Sequence, residues 1–264
     1  MLKKNIYFFI LILFTSYNLF AQSKLDTLTL FATKLGYHKK IWIYTPVNYN
    51  KDVKKKFPVI YMTDGQNLFD AKTSFLGEWQ IDETLDSLKA NCVVVGIENG
   101  NQERINELTP FKNEQYGGGK ADLFLDFILN QVMPFINSSY RTKSDKNHTA
   151  IFGSSLGGLF AYYVVFKHPD IFGKTGVFSP AFWINKKELL ELSKATDKSN
   201  AKFYFMCGTK ESENMVSDMN EFTHDLNRIR CECKMLTKKV IVENGEHNEK
   251  LWREQFAKAY LWLF

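Results

Sequence analysis

Cysteine is scarce in this sequence: Cys92, Cys207, Cys231 and Cys233 are the four in 264 residues. Four are too few for the cross-linked framework of a small secreted domain. Cys92 and Cys207 fall in strand-like runs and read as small buried hydrophobes. Cys231 and Cys233 are two apart, so on a strand they point to opposite faces. A bridge from either to another cysteine stays open, and a lone Cys-Glu-Cys with no second ligand pair argues against zinc. Glycine (15) and proline (6) are too few for a low-complexity chain. Charge of one sign is also lacking. The net charge is +5, or +3 without Lys3 and Lys4, and 24% of residues are charged. That excess is weak and dispersed, which excludes a nucleic-acid-binding composition. Its densest run, Lys51 to Lys56, sits between two strand-like segments and reads as a solvated loop. No apolar stretch reaches the roughly 20 residues that a spanning helix needs.

What is present begins with a leader. Lys3 and Lys4 precede a nine-residue apolar core, Ile6 to Phe14, followed by polar Thr15, Ser16 and Asn18 and then Leu19-Phe20-Ala21-Gln22. This is the plan of a secretory signal peptide over residues 1–21, cleaved after Ala21. We therefore expect an exported protein, periplasmic or extracellular, with no stable membrane anchor. Residues 22–264 are enough for one well-buried domain and few for two. With 23 Phe, 12 Tyr and 5 Trp, its core is expected to be aromatic. Nothing in the sequence sets the oligomeric state.

Strand-like and helix-like stretches then alternate. Thr27 to Thr33 and Lys40 to Tyr44 read as two opening antiparallel strands. Phe57 to Met62, Asn91 to Ile97, Thr149 to Phe152, Lys174 to Phe178, Lys202 to Met206 and Lys239 to Val242 are short apolar runs suited to the buried strands of a parallel sheet. Ala121 to Phe135, Leu156 to Phe166, Met215 to Ile229 and Leu251 to Phe264 carry apolar residues at helical spacing. The pattern predicts an α/β fold: a mostly parallel central sheet of about eight strands with helices on both faces.

The chemistry centres on Gly153-Ser154-Ser155-Leu156-Gly157. G-x-S-x-G is the spacing of a nucleophile elbow, a strained turn from strand to helix with glycines where the backbone reverses. Alone the motif is common, but here a short apolar run enters it and a long helix, expected to be amphipathic, leaves it. A serine needs a base, and in this chain order the base comes last. Of five histidines, His38, His148 and His168 come too early, and His224 falls in a charged helix. His247 follows the last strand, in a loop facing the same sheet edge as the elbow. The acid that holds its tautomer should follow the strand Lys202 to Met206. Glu211 and Glu213 both qualify by position, and Glu211, first after the Gly-Thr turn, is preferred. Both also suit a helix start, where acids favour the macrodipole. An oxyanion hole needs two N–H groups. Leu156, after the nucleophile, supplies one; the loop after the third strand, Thr63-Asp64-Gly65-Gln66, supplies the other at Gln66.

Taken together these residues resemble the putative esterase family of α/β-hydrolases, which includes enterochelin esterases, feruloyl and acetylxylan esterases, the esterase D group and the mycolyltransferases. The resemblance runs from about Lys40 to the C-terminus. It rests on Tyr44-Thr45-Pro46, Met62 to Phe69, Trp79 with Asp82 and Glu83, Gly96-Ile97-Glu98-Asn99 leading to Arg104 and Glu107, the elbow, Ser179-Pro180 with Trp183, Gly208 to Glu211, and Gly245 to Asn248 with Trp252. It implies the α/β-hydrolase fold and a serine carboxylic-ester hydrolase with Ser155, Glu211 and His247 as triad and Gln66 and Leu156 at the oxyanion hole. The family often keeps Asp where this chain has Glu211. It also brings Trp79, Arg104 and Trp183 near the cleft as substrate contacts. Core packing for the tryptophans and a salt bridge from Arg104 to Glu107 are the alternatives. The expected substrate is a small-molecule or polysaccharide-linked ester, with neither metal nor organic cofactor. Two other readings remain open at this point: an acyltransferase using the same triad, and a carbohydrate- or siderophore-binding relic without turnover.

Overall fold

The computed structural model describes residues 23–195, 200–229 and 237–264. The expected leader, with Cys231 and Cys233, lies outside the described residues. These form an eight-stranded sheet of β1 Lys24–Ala32, β2 Tyr37–Thr45, β3 Val59–Thr63, β4 Val93–Ile97, β5 Thr149–Ser154, β6 Lys174–Phe178, β7 Lys202–Gly208 and β8 Thr237–Val242. The order across the sheet is β1-β2-β4-β3-β5-β6-β7-β8. Strand β2 runs antiparallel to β1 and β4, and the remaining pairs are parallel. This is the expected α/β-hydrolase architecture.

Every position of β3, β4 and β5 is buried, which is why these strands are continuous apolar runs rather than alternating ones. Alternate residues feed two cores. Val59, Tyr61, Val93 and Val95 join one cluster with helices α2 Arg104–Leu108, α3 Ala121–Phe127, α4 Met133–Ser139, α5 Leu156–Lys167, α6 Lys186–Ala195 and α7 Met215–Ile229. Ile60, Met62, Val94 and Phe152 join the other, under α1 Ile81–Ser87 and α8 Glu249–Leu263. The edge strand β8 has only partly buried and exposed positions. Burying one aromatic such as Phe152 contributes roughly 2–3 kcal/mol.

Two helical expectations change. The stretch expected as one helix over 121–135 is broken by a π-helical turn at Ile128–Val132 just before Pro134. Proline has no N–H to donate to the preceding turn, and the widened turn accommodates that loss. Helix α5 is not amphipathic, since every residue from Gly157 to Phe166 is buried. It lies between the sheet and an outer layer, with Phe160 against Phe124 of α3 and Tyr162 against Phe222 of α7. A helix covered all round is apolar all round.

After β3 the chain crosses to β4 on one side, and after β5 it crosses to β6 on the other. In open α/β sheets ligands bind in the crevice that such a reversal leaves beyond the carboxyl ends of the strands. The loops after β3 and β5 open into that crevice.

Candidate active site

Ser155 follows β5 directly and has φ 58° and ψ −120°, a conformation that costs about 1–3 kcal/mol for a residue with a side chain. The surroundings hold it there. Its N–H donates to the Phe178 carbonyl at 2.9 Å, and its carbonyl accepts from the Ala181 and Leu159 N–H groups at 3.0 and 3.1 Å. The two motif glycines are sterically required. A Cβ on Gly153 would lie 2.3 Å from the Gly157 carbonyl oxygen, and one on Gly157 would lie 2.2 Å from Thr63 Oγ1. Leu156 opens α5, so its N–H is among those with no acceptor inside the helix, at the positive end of the dipole.

The loop after β3 is fixed just as tightly. Asp64 is left-handed, with φ 57°. Gly65 lies so close to β4 that a Cβ would be 2.7 Å from the Gly96 carbonyl carbon. Gln66 follows in a short 3-10 turn, Gly65–Asn67. The Asp64 carboxylate, 7% exposed, is clamped by Arg104 through Nε and Nη2, each at 2.8 Å, and by Asn99 Nδ2 at 2.6 Å. Burial alone would raise the Asp64 carboxyl, but the Arg104 charge and these hydrogen bonds outweigh it and hold the group below the usual carboxylate range. Gln66 Oε1 accepts from the Asn99 N–H at 3.3 Å, tying the same loop to the chain beyond β4.

The base and its orienting acid come from the other side of the crevice. His247 lies between β8 and α8, and Glu211 lies beyond β7. His247 Nδ1 is 2.8 Å from Glu211 Oε2, and the Glu211 side chain is 0% exposed against 35% for the histidine. The second oxygen, Oε1, accepts from the Gly208 N–H at 2.5 Å and from Ser179 Oγ at 2.7 Å. Ser179 Oγ in turn accepts from Trp252 Nε1 at 2.8 Å, and the Trp252 ring stands edge-on to His247 at 5.2 Å and 87°. With Nδ1 engaged, Nε2 is the ring nitrogen left for a reacting group. Glu213 is exposed and meets no histidine.

Ser155, His247, Gln66 and Arg104 line one cavity of about 700 Å³, walled by residues 73–76 on one side and 99–104 on the other. Phe75 and Leu76 stand 82% and 67% exposed on its rim. Three expectations need correction. Trp79 does not line the cavity. It is buried against Phe178, Trp252 and Phe256, because the chain before α1 turns it into the core beneath α8. Trp183 is half-exposed on the turn Phe182–Ile184, edge-to-face with Tyr116, and is also absent from the cavity walls. Arg104 does reach the cavity, but its partner is Asp64 rather than Glu107. Glu107 is buried with Lys39 at 2.5 Å, Tyr37 and the Gly100 N–H. Nothing in the sequence alone gives Ser179 or Trp252 a role behind Glu211. Both lie in its motifs, but only the meeting of the β6 end with α8 aligns them behind Glu211. Among the described residues, Glu78, Asp82 and Glu83 bring three carboxylates together outside the cavity. There, burial and the Glu83 carboxylate push Asp82 up to about 7.

Comparison with known proteins fits this geometry. The sequence model described as putative esterase matches residues 32–263. The ferri-bacillibactin esterase BesA of Bacillus subtilis is 28% identical over 190 residues, covering 64% of this chain and 65% of that protein. An endo-1,4-beta-xylanase/feruloyl esterase of Xylanibacter ruminicola is 24% identical over 203 residues, 72% of this chain and 25% of that one. The solved structure of the BES protein from Bacillus cereus superposes with a TM-score of 0.76 at 22% identity, covering 99% of both chains, a likeness of fold.

Proposed function

The chain belongs to the putative esterase family and is a carboxylic ester hydrolase, and we propose that it is an exported serine esterase that works through Ser155, His247 and Glu211 and an acyl-enzyme. The observation that carries this reading is the Glu211 carboxylate held at 2.8 Å from His247 Nδ1, in a cavity that His247 shares with a serine on a strained elbow.

His247 Nε2 takes the proton as Ser155 Oγ attacks the ester carbonyl. The buried Glu211 carboxylate stabilises the imidazolium, and the amides of Leu156 and Gln66 receive the oxyanion. Collapse of the tetrahedral intermediate breaks the C–O bond, with the imidazolium protonating the leaving alcohol. Water then enters, gives a proton to the same imidazole, and releases the carboxylic acid and free Ser155. Asp64 and Arg104 act one step removed by holding the Gly65-Gln66 turn in register. The leader over residues 1–21 supports export of one domain spanning residues 22–264, so the substrate is an ester met outside the cytoplasm. Relatives named for siderophore and feruloyl esters support those two classes, and the exposed Phe75 and Leu76 rim supplies apolar surface for a substrate.

Ser155→Ala tests the reading. Turnover of p-nitrophenyl butyrate should fall by about 10⁴-fold or more, and labelling by a fluorophosphonate probe should vanish. Labelling retained in that variant would overturn the assignment.

A further inference from the structure

Glu249 is the first residue of α8, two positions after His247, and its side chain lines the same cavity as Ser155. It is only 4% exposed. One oxygen, Oε1, accepts a long hydrogen bond of 3.3 Å from Asn67 Nδ2, and the other, Oε2, has no partner. The cation sharing its cavity, Arg104, is committed to Asp64 through two of its nitrogens. A carboxylate withdrawn from water with so few donors is costly to keep, and burial pushes the Glu249 carboxyl up. Helix stabilisation does not account for it. An acid in a first turn already acts on the dipole when exposed, and Asn248 caps α8 by accepting from the Leu251 N–H at 3.1 Å. Asn67 is itself held in place, since its Oδ1 accepts from the Phe75 N–H at 3.1 Å. That fixes Nδ2 toward Oε1 and leaves Oε2 as the buried acceptor without a partner.

We propose that Glu249 is a substrate-recognition residue whose unpaired Oε2, buried in the free enzyme, turns toward the cavity to accept a hydrogen bond from a hydroxyl or N–H on the part of the ester that fills it. The enzyme therefore selects esters bearing such a donor over plain alkyl or aryl esters of the same shape. This rests on the serine esterase reading and narrows its substrate class. A donor-bearing ester supplies a charge-assisted hydrogen bond, whereas its donor-free isostere leaves the buried oxygen bare. Sites that hold an unpaired polar group discriminate in this way.

The test compares kcat/KM on two matched pairs of p-nitrophenyl esters: 3-hydroxybutyrate against 3-methylbutyrate, and N-acetylalaninate against the analogue with CH2 in place of N–H. Wild-type protein should prefer the donor-bearing member by about 10- to 100-fold, the range of one hydrogen bond to a charged group. In Glu249→Gln the amide oxygen keeps Asn67 and the NH2 takes the place of Oε2, so the N–H of the alaninate ester meets a donor and the ratio of that pair should collapse toward one, while the hydroxyl of 3-hydroxybutyrate can turn to accept and should keep only part of its preference. Glu249→Asp, which keeps the charge but withdraws the acceptor, should fall between. The proposal is overturned if the wild type shows no preference on either pair. It is equally overturned if both esters of a pair lose the same factor in Glu249→Gln, since that marks a structural role. Wild-type protein that turns over no ester and takes no fluorophosphonate at Ser155 would instead bring down the esterase reading itself, and this proposal with it.

Discussion

Replacing Glu211 by Gln isolates what its carboxylate does, because the structure dictates how the amide must sit. Two donors, the Gly208 N–H at 2.5 Å and Ser179 Oγ at 2.7 Å, converge on the Oε1 position. An NH2 group there would face two donors, so the amide oxygen stays and the NH2 takes the Oε2 position, 2.8 Å from His247 Nδ1. That NH2 can only donate. Nδ1 must become an acceptor, the ring proton moves to Nε2, and the nitrogen that the proposed mechanism uses as base can no longer take the Ser155 proton. The charge that would stabilise the imidazolium is lost as well. Both effects act in the transition state, and the analogous Asp→Asn change in a Ser-His-Asp triad lowers kcat by about 10⁴-fold. That is about 5 kcal/mol of lost transition-state stabilisation. Glu211→Ala imposes no tautomer and should retain more activity than Glu211→Gln. The assay is kcat on p-nitrophenyl butyrate from pH 6 to 9, with circular dichroism to establish folding. A Glu211→Gln enzyme within tenfold of wild type, or an equal loss from Glu213→Gln, refutes the reasoning.

Two further outcomes follow from buried charges. Arg104→Gln strands Asp64, whose side chain is 7% exposed, and should cost roughly 3 kcal/mol, the low end for breaking a buried pair because Arg104 is itself partly exposed. In wild type the Asp64 carboxyl is depressed, so its stabilisation is present above about pH 4 and is lost as pH falls through the lower folded value. Without Arg104, burial raises the carboxyl instead. Thermal unfolding should then show a deficit that is large at pH 7 and smaller at pH 4; a deficit independent of pH would contradict the pairing. Lys39→Met leaves Glu107 with side chain 0% exposed and no cation, and should lose about 3–5 kcal/mol in urea unfolding. Adding Glu107→Leu should recover most of that loss, and a simple sum of two losses would refute the pair's role.

Local chemistry made much of the fold legible. The central parallel strands β3, β4 and β5 are short and buried on both faces, so they read as largely apolar runs bounded by turns, and β6, Lys174–Phe178, has the boundaries the sequence predicts. Helix α7 spans the predicted Met215–Ile229 for the related reason that one face packs and the other is wet. Burial that depends on distant elements was not legible. The α5 sequence does not announce the helices that will cover it. Trp79 carries no sign of whether it meets substrate or, as the structure has it, the underside of α8.

The sequence by itself determined the strand-turn-helix around Ser155, because spacing of glycines about a serine is a local steric requirement: a Cβ at position 153 or 157 meets backbone or Thr63 at under 2.5 Å. It also determined that a histidine follows the last strand and that two glutamates compete beyond β7. Only the tertiary structure decided between those glutamates. Hydrogen bonds reach about 3 Å, and it takes the ends of β6, β7 and β8 lying side by side to bring Ser179, Gly208 and His247 within that reach of Glu211 while leaving Glu213 in solvent. The same holds for Asp64 and Arg104, 40 positions apart in the chain, and for the bare oxygen of Glu249. Pairing and absence of pairing are properties of distance in space, which no residue's identity contains.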